Sequence, residues 1–363
     1  MAEPLLPAPC YLPPGISRRE FLAATAALLS ACRRPAGPPA GSAELGPIEH
    51  ELNIYNWSDY IGPGVVPGFE REFGVRVSYD TYESSEEMVA KLEAGATGYD
   101  LVVPPTYGVT ALLASGLLAP LSRRHLPNLG NLAAVFRGLA HDPGDRYTVP
   151  WQWGITGIAW RTDLVSAAPD SWAVFLDPAR RGRMTMLDDE RDVIGAFLRL
   201  RGRSINSIDP GELEAARRDA VAAKANLKAY LSAPVKGQLV AGDVWLAQLW
   251  NGDAAQARKE QPALAWALPK EGGTLWIDSL AVPASAPHPR AAHEFINYVL
   301  RPEVGAAISA ATGYGTPNRA ALALLPDPVP YPSTDELARL EIQKDLGRAS
   351  ALWDRVWTEI KSA

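Results

Sequence analysis

Residues 52–103 read LNIYNWSDYIGPGVVPGFEREFGVRVSYDTYESSEEMVAKLEAGATGYDLVV, and this stretch decides the fold. Three strand patterns in it are separated by two helical patterns, and a glycine follows each helical pattern. The strands are predicted at 52–57, 75–81 and 100–103, and the helices at 65–73 and 84–94. This alternating order predicts a parallel sheet with helices on its faces.

A second α/β unit begins near residue 155, after a further helix predicted at 109–115. Its strands are predicted at 184–187, 264–268 and 274–282, and its helices at 193–200, 215–230 and, as one or two helices, 335–361. Residues 244–249 fit a strand or a helix equally well. Two α/β lobes of comparable size imply a cleft between them, and ligands of such sheets bind beyond the carboxyl ends of the strands.

The composition excludes several function classes. The chain has 363 residues, enough for about two domains. Its net charge of -6 argues against a broad basic face for nucleic acid. Two cysteines make neither a disulfide scaffold nor a four-cysteine zinc site, and the five histidines show no HxxxH or HxH spacing. We therefore expect no nucleic-acid partner, no metal and no cofactor.

The first fifty residues have the features of an export signal and a tether. Arg18 and Arg19 precede the apolar run Phe21–Ala31, which is too short for a membrane-spanning helix of about 20 residues. The arginine pair resembles a twin-arginine signal. The sequence LSAC, which ends at Cys32, resembles a lipoprotein box. We predict a signal at 1–32, lipidation of Cys32 and a flexible Pro/Gly/Ala-rich tether at 33–49.

Aromatic residues and carboxylates occur together at the predicted strand ends. Ring faces attract cations and cover methylene chains, and a carboxylate forms a charge-assisted bond to each ammonium group. In TLWIDSL, Trp276 and Asp278 are two residues apart, so on a strand both point to one face. This combination of residues suits an alkylammonium ligand.

Eight segments resemble the polyamine-binding proteins of ABC importers, the spermidine/putrescine-binding periplasmic proteins. They are LNIYNWSDYI (52–61), FEREFGVRVSYDTYESSEEM (69–88), YDLVVPPTY (99–107), LLASGLLAPL (112–121), YTVPWQWGITGIAW (147–160), PKEGGTLWIDSLAVPA (269–284), FINYVLRPEV (295–304) and GYGTPN (313–318). The likeness runs from about residue 51 to the C-terminus.

The resemblance implies a two-lobed periplasmic-binding-protein-like fold of type II, with a sheet flanked by helices in each lobe and a hinge between the lobes. We expect lobe 1 to comprise 50–154 and 277–322, and lobe 2 to comprise 155–276 and 323–363. The implied protein is a periplasmic, lipid-anchored monomer that passes a polyamine to an ABC permease in the inner membrane, and its lipid anchor is its only membrane contact.

The same resemblance implies a set of ligand-binding residues at the cleft. They are Trp57, Ser58, Asp59, Tyr60, Thr106, Tyr107, Asp189, Asp192, Trp250, Asp253, Trp276, Asp278, Tyr314 and Gln343. Two positions depart from the family pattern, since Pro105 replaces a usual Ser and Asp192 stands where the spermidine binder has Glu. Asp253 resembles the putrescine branch, whereas Trp276, Tyr314 and Gln343 resemble the spermidine branch, so we favour spermidine and keep putrescine as the alternative.

Two other function classes compete with a polyamine binder. Aromatic clefts also bind other cations or sugars, and paired carboxylates could hydrolyse a glycoside if they lay about 5–10 Å apart. Adjacent Asp188 and Asp189 on a strand point to opposite faces, however. The sequence also contains no GxSxG, P-loop or HExxH motif. We therefore expect a binding protein and not an enzyme.

Overall fold

The computed structural model describes residues 44–82, 84–232, 234–326 and 332–363. The predicted signal, the lipidation site Cys32 and the first part of the predicted tether lie outside the described residues. The last part of the tether contacts the body of the protein, because the Glu49 carboxylate accepts the Ala291 N–H at 2.8 Å.

Ten strands and twelve α-helices make up the described residues, together with short 3₁₀ turns. The strands are β1 Glu51–Trp57, β2 Arg76–Tyr82, β3 Leu101–Val102, β4 Thr148–Arg161, β5 Met184–Met186, β6 Leu227–Tyr230, β7 Leu246–Trp250, β8 Leu264–Ala267, β9 Gly273–Ala281 and β10 Leu340–Ile342. The helices are α1 Val65–Phe73, α2 Ser85–Glu93, α3 Thr106–Ala114, α4 Glu190–Leu200, α5 Pro210–Lys224, α6 Val235–Ala241, α7 Asn251–Glu260, α8 Pro289–Val299, α9 Pro302–Thr312, α10 Arg319–Leu322, α11 Thr334–Leu337 and α12 Ser350–Ser362.

The strands follow the order β2-β1-β3-β9-β4-β7-β5-β6, with β10 beside β9 and β8 beside β4. At one end, β1 is parallel to β2 and β3, and at the other end β5 is parallel to β6 and β7. The parallel order predicted from residues 52–103 is therefore confirmed. The strands predicted at 264–268 and 274–282 are β8 and β9, and both pair antiparallel with β4. Parallel strands place their carboxyl ends at one edge, which is where a ligand-binding cleft is expected.

Two antiparallel strands connect the lobes. Strand β4 is buried along all 14 residues, pairing with β9 through its first half and with β7 and β8 through its second half. Strand β9 begins beside β10 and ends beside β3. Polar and apolar residues do not alternate along a strand that is covered on both faces, so periodicity gave no signal for β4.

Separate apolar cores support the two lobes. One core contains Leu52, Ile54 and Phe69 from the N-terminal strands and helix, together with Phe295 from α8. A second core contains Phe175, Phe197 and Trp353, which joins α12 to the lobe built on β5–β7. The molecule is therefore a two-lobed α/β protein, as predicted.

Most predicted elements are present within one to three residues, and two predictions need correction. The helix predicted at 215–230 is wrong after Lys224, because Leu227–Tyr230 forms β6 and pairs with β5. The segment predicted as one or two helices at 335–361 contains β10 between α11 and α12. Residues 244–249, which fitted either structure, form β7 from Leu246 onward.

Candidate ligand-binding cleft

The strand ends of both lobes converge on one cleft. Trp57 ends β1 and Trp250 ends β7, while Asp189 follows β5 and caps α4 by accepting the Asp192 N–H at 2.8 Å. In the loop after β1, Asp59 has a left-handed φ of 52°, a conformation that Asp tolerates better than most residues. The loops that follow the strands therefore bring carboxylates and indole rings to the same edge.

Thirteen of the fourteen residues predicted for the site line this single cavity. The exception is Thr106, whose hydroxyl donates instead to the Ile277 carbonyl oxygen at 3.3 Å. The thirteen are Trp57, Ser58, Asp59, Tyr60, Tyr107, Asp189, Asp192, Trp250, Asp253, Trp276, Asp278, Tyr314 and Gln343. The structure thus brings together residues that lie as far as 286 positions apart in the chain, from Trp57 to Gln343 (343 − 57).

Five further residues line the cavity without having been predicted as ligand contacts. They are Tyr82, Ser85, Pro105, Ser232 and Lys236. Tyr82 ends β2 beside Trp57, with ring centroids 4.6 Å apart. A parallel strand next to β1 must end at the same edge, so Tyr82 could have been predicted from the strand order.

Three aromatic rings meet at one end of the cleft. The centroids of Tyr60 and Tyr314 are 5.3 Å apart, and those of Trp276 and Tyr314 are 5.1 Å apart, both with edge-to-face geometry. Two glycines allow this close packing. A Cβ at Gly252 would lie 2.2 Å from the Tyr314 ring, and a Cβ at Gly154 would lie 2.3 Å from the Trp276 ring. The Tyr314 and Trp276 rings therefore pack directly against the backbone of these two glycines.

Asp278 lies beside these rings and is almost fully buried. The Tyr60 hydroxyl donates to its Oδ2 at 2.7 Å. Burial raises the pKa of Asp278 to about 7, although the hydrogen bond from Tyr60 lowers it. A carboxyl with this pKa gains strongly from a nearby cation, because the cation stabilises its charged form.

Asp192 positions the Trp250 indole. Its Oδ2 accepts the Trp250 Nε1–H at 3.0 Å and its Oδ1 accepts the Thr156 hydroxyl at 3.0 Å. Burial raises the pKa of Asp192, and these hydrogen bonds oppose that shift. Burial, followed by the charge of Asp192, also raises the pKa of Asp189 well above its usual value.

Asp188 and Asp189 were expected on a strand, but β5 ends at Met186 and both residues follow it. Asp188 Oδ1 contacts the Lys361 ammonium at 2.9 Å, whereas Asp189 lines the cleft. Among the ion pairs of the described residues, none involves Asp189, Asp192 or Asp278. The cleft therefore holds three carboxylates, of which Asp192 and Asp278 are buried and Asp189 is partly exposed, and no basic side chain forms an ion pair with any of them.

Asp253 differs from those three carboxylates. Its Oδ1 accepts the Tyr314 hydroxyl at 2.8 Å and lies 3.8 Å from the Lys236 ammonium. Burial raises the pKa of Asp253, while Lys236 and Tyr314 both lower it. Lys236 is the one basic side chain that lines the cavity within the described residues.

No cluster of three or more His, Cys, Asp or Glu side chains that could hold a metal ion occurs in the described part of the chain. The cleft instead combines carboxylates with aromatic rings. This combination suits capture of an organic cation, because carboxylates bind ammonium groups and rings cover the carbon chain between them.

The fold and the cleft are those of a substrate-binding protein, and the chain belongs to the bacterial extracellular solute-binding protein family, whose model matches residues 65–337. Members of this family bind solutes and are not enzymes.

Three relatives illustrate the likeness. The spermidine/putrescine-binding periplasmic protein of Escherichia coli K12 is 37% identical over 88% of this chain and 94% of its own length. The putrescine-binding periplasmic protein PotF of the same strain is 34% identical over 88% of this chain and 93% of its own. The solved Tp0655 (TpPotD) lipoprotein of Treponema pallidum has a TM-score of 0.79 and 30% identity, covering 85% of this chain and 99% of that structure.

Among the described residues, no helix is both long and apolar enough to cross a membrane.

Proposed function

We propose that this protein is the polyamine-binding component of an ABC importer, which captures spermidine in the cleft between its lobes and delivers it to a membrane permease. The observation that carries this proposal is the cleft itself, where the carboxylates of Asp189, Asp192 and Asp278 lie beside indole and phenol rings. Spermidine has three amines whose pKa values resemble that of lysine, so all three are charged near pH 7.

Each part of the ligand has a matching group in the cleft. Asp278 and Asp189 supply charge for ammonium groups, and the rings of Trp250 and Trp276 supply apolar faces for the methylene segments. A buried cation without a partner costs several kcal/mol, so a ligand with several amines needs several acids. A neutral sugar would leave the buried carboxylates without a counter-charge, so this site favours a polyamine over a sugar.

Putrescine is the second candidate because of Asp253. This acid resembles the one of the putrescine branch and lines the cleft beside Tyr314. A diamine needs only two of the four carboxylates that line the cleft, so the number of acids permits either ligand. The names of the relatives support both ligands.

The remaining parts of the proposal concern location and movement. We propose export to the periplasm, anchoring through a lipid on Cys32, and action as a monomer. We also propose that the lobes, at the boundaries given by the sequence, close on the ligand by a hinge. Strands β4 and β9 run through both lobes and are the natural place for it.

Calorimetric titration of the purified protein with putrescine, spermidine and spermine tests the proposal. We expect saturable one-to-one binding with spermidine bound most tightly, and no binding of a neutral disaccharide used as the control. At ligand 100 times its dissociation constant, the free energy of unfolding should rise by roughly 2.7 kcal/mol. Heat from the disaccharide but not from any polyamine would contradict the proposal.

A further inference from the structure

Lys236 lies at one end of the cleft and contacts three groups. Its ammonium is 3.0 Å from Asp59 Oδ2, 3.2 Å from Gln256 Oε1 and 3.8 Å from Asp253 Oδ1. The Lys236 side chain is only 18% exposed and that of Asp253 only 10%, whereas Asp59 is 71% exposed. The ammonium is therefore held between a buried acid and an acid at the rim.

The contact joins the two sides of the cleft. Asp59 precedes Tyr60, which packs in the core of the first lobe. Lys236 follows Val235, which packs with Leu239 and Ala254 in a separate core. A side chain from one lobe thus forms ion pairs with acids from both lobes.

We propose that Lys236 sets the number of amines that the cleft accepts, because its ammonium occupies the amine position at Asp253. The inference rests on the proposed polyamine function. Asp189 and Asp278 remain for the ligand. Asp192 already accepts from Trp250 and Thr156, but each of its oxygens has a second lone pair, so it can accept a third amine and the three acids match a triamine. A fourth ligand amine would lie beside the Lys236 ammonium instead of beside a free acid, and the two positive charges would repel each other.

The variant Lys236→Met tests the inference, since it keeps much of the side-chain length and removes the charge. We expect the affinity for spermine to rise at least about tenfold relative to that for spermidine, because Asp253 becomes available to the fourth amine. Lys259→Met is the matched control. Lys259 is exposed on α7, the helix that carries Asp253, and contacts the Ala310 carbonyl outside the cavity.

A double-substitution cycle separates this role from a structural one. Asp253→Asn should leave the spermine-to-spermidine affinity ratio nearly unchanged when Lys236 is present, and should abolish the gain when combined with Lys236→Met. If Lys236→Met does not fold, as judged by its thermal transition, Lys236→Gln replaces it in the same cycle.

The outcomes are distinct for the two proposals. If the spermine-to-spermidine affinity ratio of Lys236→Met stays within about threefold of the original ratio, or falls, the role of Lys236 is overturned. This includes an equal change in both affinities, which is expected if the lysine only holds the lobes together. An original protein that binds neither polyamine overturns the proposed function and this inference with it.

Discussion

Tyr60 and Asp278, which are 218 residues apart in the chain, form a buried hydrogen bond of 2.7 Å. Tyr60 follows β1 and Asp278 lies within β9, so the bond depends on the pairing of both strands with β3. The Tyr60 hydroxyl thereby holds one carboxylate oxygen, Oδ2, and we propose that the other oxygen, Oδ1, accepts a ligand amine. This arrangement makes Asp278 the central acid of the proposed site.

The pKa of Asp278 predicts a pH dependence of binding. Since the pKa is about 7 without a ligand cation, a proton must leave before the carboxylate binds an ammonium below that pH. Affinity for spermidine should therefore fall as the pH drops from 8 to 5.5. Titrations in buffers of different ionisation enthalpy should report proton release at pH 6. Equal affinity at both pH values, with no proton release, would argue against this carboxyl as the amine acceptor.

The same shift predicts how stability depends on pH. The folded protein raises the pKa of Asp278 from 3.8 to about 7, so this group's stabilising contribution is complete below the unfolded value and is lost as the pH rises through 7. The ligand-free protein should melt at a lower temperature at pH 8 than at pH 6. Asp278→Asn should reduce that difference, whereas Asp170→Asn, at an exposed acid, should retain it.

Trp250 and Trp276 should report ligand binding by fluorescence. Both indoles line the cavity, so a polyamine beside them changes the surroundings of their rings. We expect the emission change caused by spermidine to be mostly lost in a variant with both residues changed to Phe. Trp245→Phe is the control, because Trp245 packs beside Arg183 outside the lining of the cleft. A full emission change in the double variant would exclude these two rings as the contact.

Gly252→Ala should weaken binding by about tenfold or more through Tyr314. The added Cβ would lie 2.2 Å from that ring, so the ring must move and its hydrogen bond to Asp253 must break. Gly64→Ala is the matched control, because a Cβ there has nothing within 4 Å. Calorimetry of both variants checks the prediction, and equal affinities for spermidine would contradict it.

The sequence predicted the local elements well because helix caps and strand ends are local features. The helix predicted from residue 84, for example, begins where the Ser84 side chain accepts the Glu87 N–H. The long strand β4 was missed because complete burial removes the alternation that marks a strand. Strand β6 was taken as helix because the apolar pattern continues past the actual helix end at Lys224.

Site residues were predictable where they belong to a recognised motif, such as Trp276 and Asp278. Lys236 belongs to none, and its contact with Asp59 spans 177 residues. Such a pair depends on how two lobes face each other, which local sequence does not specify. Thr106 illustrates the converse, since it lies within the motif YDLVVPPTY and yet its hydroxyl donates to the Ile277 carbonyl oxygen and does not line the cavity.

The most direct test of the central claim is a calorimetric titration of the original protein and of Asp278→Asn with spermidine at pH 8. We predict saturable binding by the original protein and a loss of about a hundredfold or more in the variant, because the variant leaves a buried ammonium without its acid. Asp170→Asn should bind like the original. Unchanged affinity in a folded Asp278→Asn protein would contradict the account.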